Sequence, residues 1–404
     1  MTQPTPYIYI DGTPGKQWRD NDGRLHRIDG PADVNYWENG TRKREEYYLH
    51  GERHREGGPA RIEYNPDGTV YQEEYWQGGK LHRDKGPAVI VYKWDDFGDE
   101  CREEYYYQHG KEHREDGPAT IYYYPDGTQY SEEYFQHGQR HREDGPARIE
   151  YDPNGTKRYE EYFQHGQRHR EDGPAVINYA PDGTKRYEEY YQHGQRHRED
   201  GPAVINYAPD GTKRYEEYYQ HGKEHRDGGP ARIEYNPDGT VYQEEYCQNG
   251  KLHRDNGPAQ IIYNPDGTTW SEYYYRDGTQ HREDAPAEIN YYKNGTISSE
   301  AYYRDGTQHR EDGPAWIEYR DDSTIRDEYY FQHGKLHRDK GPAVITYAPD
   351  GTVMCEAYYR DGKPYTPGVQ DVKNTMQEKL NTIRARNTTK QPELTQQRKH
   401  GHTL

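Results

Sequence analysis

His141-Arg142-Glu143-Asp144-Gly145-Pro146-Ala147, continued by Arg148-Ile149-Glu150-Tyr151, is the stretch whose reading decides the fold. Its histidine returns at His26, His54, His82, His113, His141, His169, His197, His225, His253, His281, His309 and His337. The steps are 28 residues long, except for one of 31 between His82 and His113. A fixed period of this size marks an array of one supersecondary unit.

Each unit follows one grammar. Ala147, Ile149 and Tyr151 alternate with charged residues, so they share one face of a short strand. A turn follows, written Pro153-Asn154-Gly155 here and Pro181-Asp182-Gly183 in the next copy. Proline presets φ and glycine accepts a positive φ. The second strand is Tyr159-Glu160-Glu161-Tyr162-Phe163, and a turn at His165-Gly166 leads to the next His169-Arg170. This grammar predicts a β-hairpin per unit. A lone hairpin is marginal in water, so successive hairpins must pair. At ~4.8 Å per strand, a unit would advance the sheet by roughly 10 Å.

Composition agrees with a folded but thin core. Apolar residues make up only 29% and mean hydropathy is -1.54, yet the chain carries 46 tyrosines. Tyrosine is a strand former with a large apolar ring, and disordered chains are poor in aromatics. The net charge is -18. Residues 369–404 hold seven Lys/Arg against three Asp/Glu, so residues 1–368 carry -22. An acidic body argues against nucleic acid and anionic membrane as partners. Cys101, Cys247 and Cys355 are scattered, which suits a reducing, cytoplasmic setting. The N-terminal residues lack a signal-peptide pattern.

The expected organisation is an N-terminal cap strand over 1–25, the 28-residue array over 26–368, a cap helix over 369–386 and a disordered polar tail over 387–404. Tyr7-Ile8-Tyr9-Ile10 reads as the cap strand and Asp11-Gly12 as its turn, an incomplete first hairpin. Three extra residues within Lys93 to Cys101 read as a longer loop. Tyr365 stands where the period would place a thirteenth histidine, and the array stops there. Val372, Met376, Leu380 and Ile383 then take helical spacing, an amphipathic helix for the open end of the array.

Two further slots recur in every copy after the first. A glutamate stands nine residues before each histidine position (Glu132, Glu160, Glu188) and a tyrosine seven before (Tyr134, Tyr162, Tyr190). A line of glutamates repels itself and needs cations. Arg142 and Arg170 have the right count and period, so each is expected to pair with the Glu132 or Glu160 row. The glycine slot (Gly145, Gly173) is occupied by Ala285 in one copy. That argues for a packed, extended slot before Pro146 and Pro174 and against a left-handed one.

Glu-Tyr-Tyr-x-His-Gly-x-x-His, followed by a strand and Pro-Asp-Gly-Thr, resembles the MORN repeat, in its bacterial-type variant. The match covers about residues 20–363; the unit here is longer, with the excess in Arg-Glu-Asp-Gly-Pro-Ala. The resemblance implies an all-β, elongated array of about twelve antiparallel hairpins. It also implies scaffold work: protein–protein contact, dimerisation and a role at lipids, with no catalysis.

A catalytic constellation should be unique in a chain. His169 with Asp172 is repeated twelvefold, so His141, Arg142, Gly145, Pro146, Glu160, Tyr162, His169, Arg170, Gly173 and Pro174 read as structural motif residues. The pair His165/His169 has metal-ligand character, but its first member becomes Asn249, Asp277, Asp305 and Gly78 elsewhere. No metal and no cofactor is therefore expected. Tyrosine rows could stack on sugars, and the Arg384 to Lys399 tail could meet an acidic partner. The leading expectation is a non-enzymatic scaffold that binds another protein. The alternatives are a surface for lipid head groups or glycans, and an antitoxin or immunity-type partner.

Overall fold

The computed structural model describes residues 5–9, 12–94 and 100–368, and beyond them five helical positions, Lys373, Met376, Gln377, Leu380 and Asn381. The chain forms two compact units. One comprises Met1–Glu224 with Pro237–Gly239, the other His225–Asn236 with Thr240–Leu404. Both are built from antiparallel hairpins in chain order. The first unit contains sixteen long strands and the second ten. The order is sequential, and among the described residues no first-to-last pairing closes either unit into a barrel. The all-β hairpin array expected from the period is the observed fold.

One repeat of the first unit shows how it is made. Strand Arg148–Tyr151 pairs with Lys157–Glu161 around the Pro153-Asn154-Gly155 turn. Asp152 N–H donates to the Thr156 carbonyl at 2.9 Å, and Gly155 takes φ +80°. A type I turn completed by a left-handed glycine gives this loop, and its bulge lets Tyr151 oppose Lys157 while Glu150 opposes Tyr159. The one-residue shift turns Lys157 onto the face of Glu160.

The next step differs from the expected grammar. His165-Gly166 does not simply lead back to the long strands. It closes a second, two-residue hairpin, Phe163–Gln164 against Gln167–Arg168. Each repeat thus holds two long strands and two short ones. The first unit carries seven such short hairpins and the second five. Sequence patterning missed them because two residues are too few to show alternation.

Alanine and isoleucine rows form the core. In the first unit, Ala32, Ala60, Ala88, Ala119, Ala147, Ala175 and Ala203 are fully buried, and Ile121, Ile149, Ile177 and Ile205 are buried beside them. The second unit repeats this with Ala231, Ala259, Ala287, Ala315 and Ala343. Tyr191 closes over Ala175 and Val176, with Tyr159 and Tyr162 packed alongside.

At the N-terminus, Thr5–Ile8 pairs with Pro14–Gln17, which in turn pairs with Asp33–Tyr36. The cap is therefore a complete hairpin. The 31-residue step is taken up partly by longer strands: Val89–Trp94 pairs with Glu100–Tyr105 without the bulge seen in the other repeats. Residues 95–99, the tip of the expected long loop, lie outside the described residues, as do the tail and most of the cap helix. Of that helix, Met376 and Leu380 are exposed. Asn381 borders a cavity beside Arg310, Asp312 and Arg338. No described helix is long and apolar enough to cross a membrane.

Candidate functional site

The recurring motif is the joint between consecutive repeats. His141 Nδ1 accepts the backbone N–H of His165, in the next short hairpin, at 3.1 Å. His169 does the same for His193 at 3.1 Å and His197 for His221 at 3.2 Å. An accepting Nδ1 carries no hydrogen, so the neutral ring holds its proton on Nε2. The two rings also meet face to face, stacked with centroids 4.7 Å apart for His197 and His221 and tilted by 33° at 4.8 Å for His141 and His165. In the second unit the turn residue is Asn249, Asp277, Asp305, His333 or Asp361; the N–H of each Asp still reaches Nδ1 of His253, His281 or His337 at 3.1–3.2 Å, and its carboxylate lies 3.1–3.2 Å from the same atom. The histidine pair is thus a stack across a joint, with Nδ1 already engaged by backbone.

The turn position itself explains its own drift in sequence. His165 has φ +50° and Gly166 φ +76°. Two successive positive φ values define a type I′ hairpin turn. Asn249, Asp277, Asp305 and Gly78 take the same left-handed conformation. His, Asn, Asp and Gly are the residues that tolerate it best.

The arginine expectation is corrected. Arg142 and Arg170 do not pair with the Glu132 and Glu160 row. Arg142 lies flat over the Tyr134 ring, 3.9 Å from its centroid, and donates through Nη1 to the Pro146 carbonyl at 3.2 Å. Arg170 takes Tyr162 at 3.9 Å and the Pro174 carbonyl at 3.0 Å. The same arrangement holds in the second unit, as for Arg282 on Tyr274 at 3.8 Å. Tyr134 and Tyr162 are the platforms on which the loop arginines rest, a cation–π contact. The guanidinium also fills the space beside the glycine slot. A Cβ on Gly145 or Gly173 would meet Arg142 or Arg170 at 3.2 and 3.1 Å. Neither glycine nor Ala285 is left-handed, whereas Gly86, Gly257 and Gly341 are. The slot is packed, and a methyl group fits where the flexible guanidinium yields.

The glutamate row finds other partners. By register, Glu160 sits between Ile149 and Ile177 on neighbouring strands. It is buried and accepts Tyr179 Oη–H at 2.7 Å, with Lys157 Nζ at 2.5 Å. Tyr207 serves Glu188 in the same way at 2.8 Å. Burial first, and then the neighbouring carboxylate, pushes these hydroxyls well above the ordinary tyrosine range. Tyr64, Tyr123, Tyr151 and Tyr291 are pushed up to about 12, again chiefly by burial.

A second acidic row, one residue on, holds the Arg–Glu pairs. Arg140, before the motif histidine, binds Glu133 through Nε at 3.0 Å and Nη2 at 2.8 Å. Arg168 binds Glu161 at 2.5 Å, Arg196 binds Glu189 at 2.9 Å and Arg53 binds Glu46 at 2.6 Å. The sequence carried a signal for this. Every copy with arginine before its histidine has glutamate seven residues earlier; Glu112 is matched by Tyr105, but Glu224 by Glu217, so the signal is one-way.

The remaining charged residues of the motif, Glu143 and Asp144, are exposed. The side chains of Glu115, Glu143, Glu171 and Glu199, two residues past each histidine, are 80–83% exposed. None of Cys101, Cys247 and Cys355 forms a disulfide.

No family model matches the chain. No curated protein matches it either. Among solved structures, the Tc holotoxin pore of Photorhabdus luminescens is 11% identical, over 90% of this chain and 19% of that one, with a TM-score of 0.14. An alternansucrase in complex with isomaltononaose is 11% identical, over 89% of this chain and 23% of that one, with a TM-score of 0.16. The chain spans about a fifth of the length of each. At these TM-scores neither likeness bears on fold or function.

Proposed function

We propose that the chain is a non-enzymatic, MORN-like repeat scaffold that binds another protein in the cytoplasm. The observation that carries this is the division of labour within the motif. Histidine, arginine, glycine and proline are engaged inside the joint, while the carboxylates of Glu115, Glu143, Glu171 and Glu199 stay largely exposed, 3.9–4.0 Å from the motif histidine's Nε2. Glu115, Glu143, Glu171 and Glu199 therefore form an acidic row across four successive repeats of the first unit. A protein with a complementary basic surface is the partner such a row favours, through steering and register. Three cysteines outside any disulfide fit a reducing compartment.

The test is affinity capture with the full chain, at low and at high salt. The expected result is a protein whose recovery falls with salt and is lost when Glu115, Glu143, Glu171 and Glu199 are all changed to Gln. Recovery of lipid or glycan without protein would sink the scaffold reading. So would a captured protein indifferent to the fourfold change.

A further inference from the structure

A hollow of about 770 Å³ opens beside the N-terminal hairpin of the first unit. That volume lies within the range of small-molecule sites. Its wall is aromatic, made by Tyr7, Tyr9, Trp37, Tyr64 and Tyr71. The rings are held in place. Tyr9 lies across Gly15, where a Cβ would come within 2.4 Å of the ring, and its hydroxyl donates to Asp33. Tyr7 meets Tyr9 edge to face at 5.1 Å. Trp37 Nε1–H donates to the Tyr64 carbonyl at 3.2 Å, and Lys43 Nζ rests 4.8 Å from the Trp37 ring. Such fixed rings form a platform that pays little ordering entropy on binding.

Asn35, which also lines the hollow, is the decisive residue. It is 4% exposed, its Oδ1 is buried without a hydrogen-bond partner, and its amide makes no side-chain hydrogen bond among the described residues. The same slot in other repeats is satisfied. Glu150 takes Arg148 and Arg158, each at 2.5 Å. Asn290 accepts Ser271 Oγ–H at 2.5 Å and donates to Ser299 Oγ at 2.9 Å. Thr346 donates to Asp327 at 2.7 Å. Asn178 and Asn206 are half-exposed, within reach of water. A buried amide oxygen without a partner is destabilising, and its retention at one slot calls for a reason.

The lining selects the chemistry. Lys43 already rests on the Trp37 ring and Arg44 lies 5.5 Å from the Tyr9 ring, which disfavours a further cation among the rings. Flat aromatic faces beside amides, cations and one carboxylate suit a ring that is apolar on its faces and hydroxylated at its edge. A hydroxyl both donates and accepts, so it satisfies whichever end of the Asn35 amide it meets.

We propose that this hollow binds a saccharide, with a pyranose ring on the aromatic wall and a hydroxyl on Asn35. The site is independent of the acidic loop row, so either reading can fail without the other. The test is saturation-transfer NMR followed by calorimetry on the full chain, against a panel of neutral and N-acetylated hexose trisaccharides. At least one trisaccharide is expected to bind. Trp37→Ala and Asn35→Leu should each weaken it tenfold or more, Trp37→Phe should retain part of the affinity, and Trp270→Ala, on an exposed ring of the second unit, should leave it unchanged. Asn35→Leu should also keep or raise the melting temperature, because it removes an unpartnered buried amide oxygen, which a purely structural asparagine would not allow. The proposal is overturned by a panel with no binder, or by binding that survives both Trp37→Ala and Asn35→Leu.

Discussion

His165 shows how one backbone angle can look like a functional residue. Its φ of +50° is the constraint, and the imidazole is one of four side chains that meet it. Replacing His165 by Asn should leave stability within a few tenths of a kcal/mol. Replacing it by Val should cost about 1–3 kcal/mol, because a β-branched residue is strained there. Urea melts of the two variants test the difference, and equal midpoints would show that the ring, not the angle, decides the slot. The interchange of His, Asn, Asp and Gly was legible in the sequence as evidence against a metal. Its cause was not, since the twofold positive φ belongs to a short hairpin whose strands are too brief to show a pattern. The arginine is a similar case. Counting put Arg142 and Glu132 in the same period, but a period does not say which side of the sheet a loop residue lies on. Arg142 closes its own loop against Tyr134 and Pro146.

At the scale of the element, the joint divides its arginines between two tasks. Arg168 faces Glu161, whose side chain is 3% exposed, while Arg170 rests on Tyr162 and the Pro174 carbonyl. Arg168→Ala leaves a buried carboxylate without its cation and should cost about 2–3 kcal/mol. Arg170→Ala loses a ring contact and a carbonyl bond and should cost about 1–2 kcal/mol. Raising the salt concentration should shrink the first penalty more than the second; identical salt responses would refute the assignment. The long strands and the Pro-Asn-Gly turns were readable because alternation and turn chemistry are local. The cation for Glu160 was not, because Lys157 reaches it only through the bulge opposite Tyr151, which moves it to the other face.

For the whole molecule, tyrosine couples the fold to alkali. The hydroxyls of Tyr64, Tyr123 and Tyr291 have folded values raised to about 12, above the ordinary value near ~10. A raised value means that the neutral hydroxyl is stabilised by folding. That contribution is complete below about pH 10 and disappears as the pH climbs through 12. The urea midpoint should therefore show no tyrosine-linked fall up to about pH 10 and drop steeply above it. Tyrosinate absorbance should rise later in the native protein than in urea. Coincident titration curves in the two states would contradict the Tyr–Glu bonds. Composition suggested a tyrosine-built core, whereas alanine and isoleucine form it and, Tyr191 apart, the tyrosines stay part-exposed, their polar tips securing a buried acidic row.

Every joint reaches only from one repeat to the next, as His141 does to His165 and Tyr179 to Glu160. Removing His169–Arg196 would bring Arg168 directly before His197 and restore the same joint with the same partners. A gene can therefore lose or gain this stretch by unequal crossing-over without inventing a new interface. Recombination between near-identical coding units becomes a route by which the chain changes length while its chemistry is inherited unaltered. A 28-residue deletion should fold with its melting temperature close to the parent's, whereas a 27-residue deletion, which flips the side chains of the one strand at its junction, should fold with a lower melting temperature.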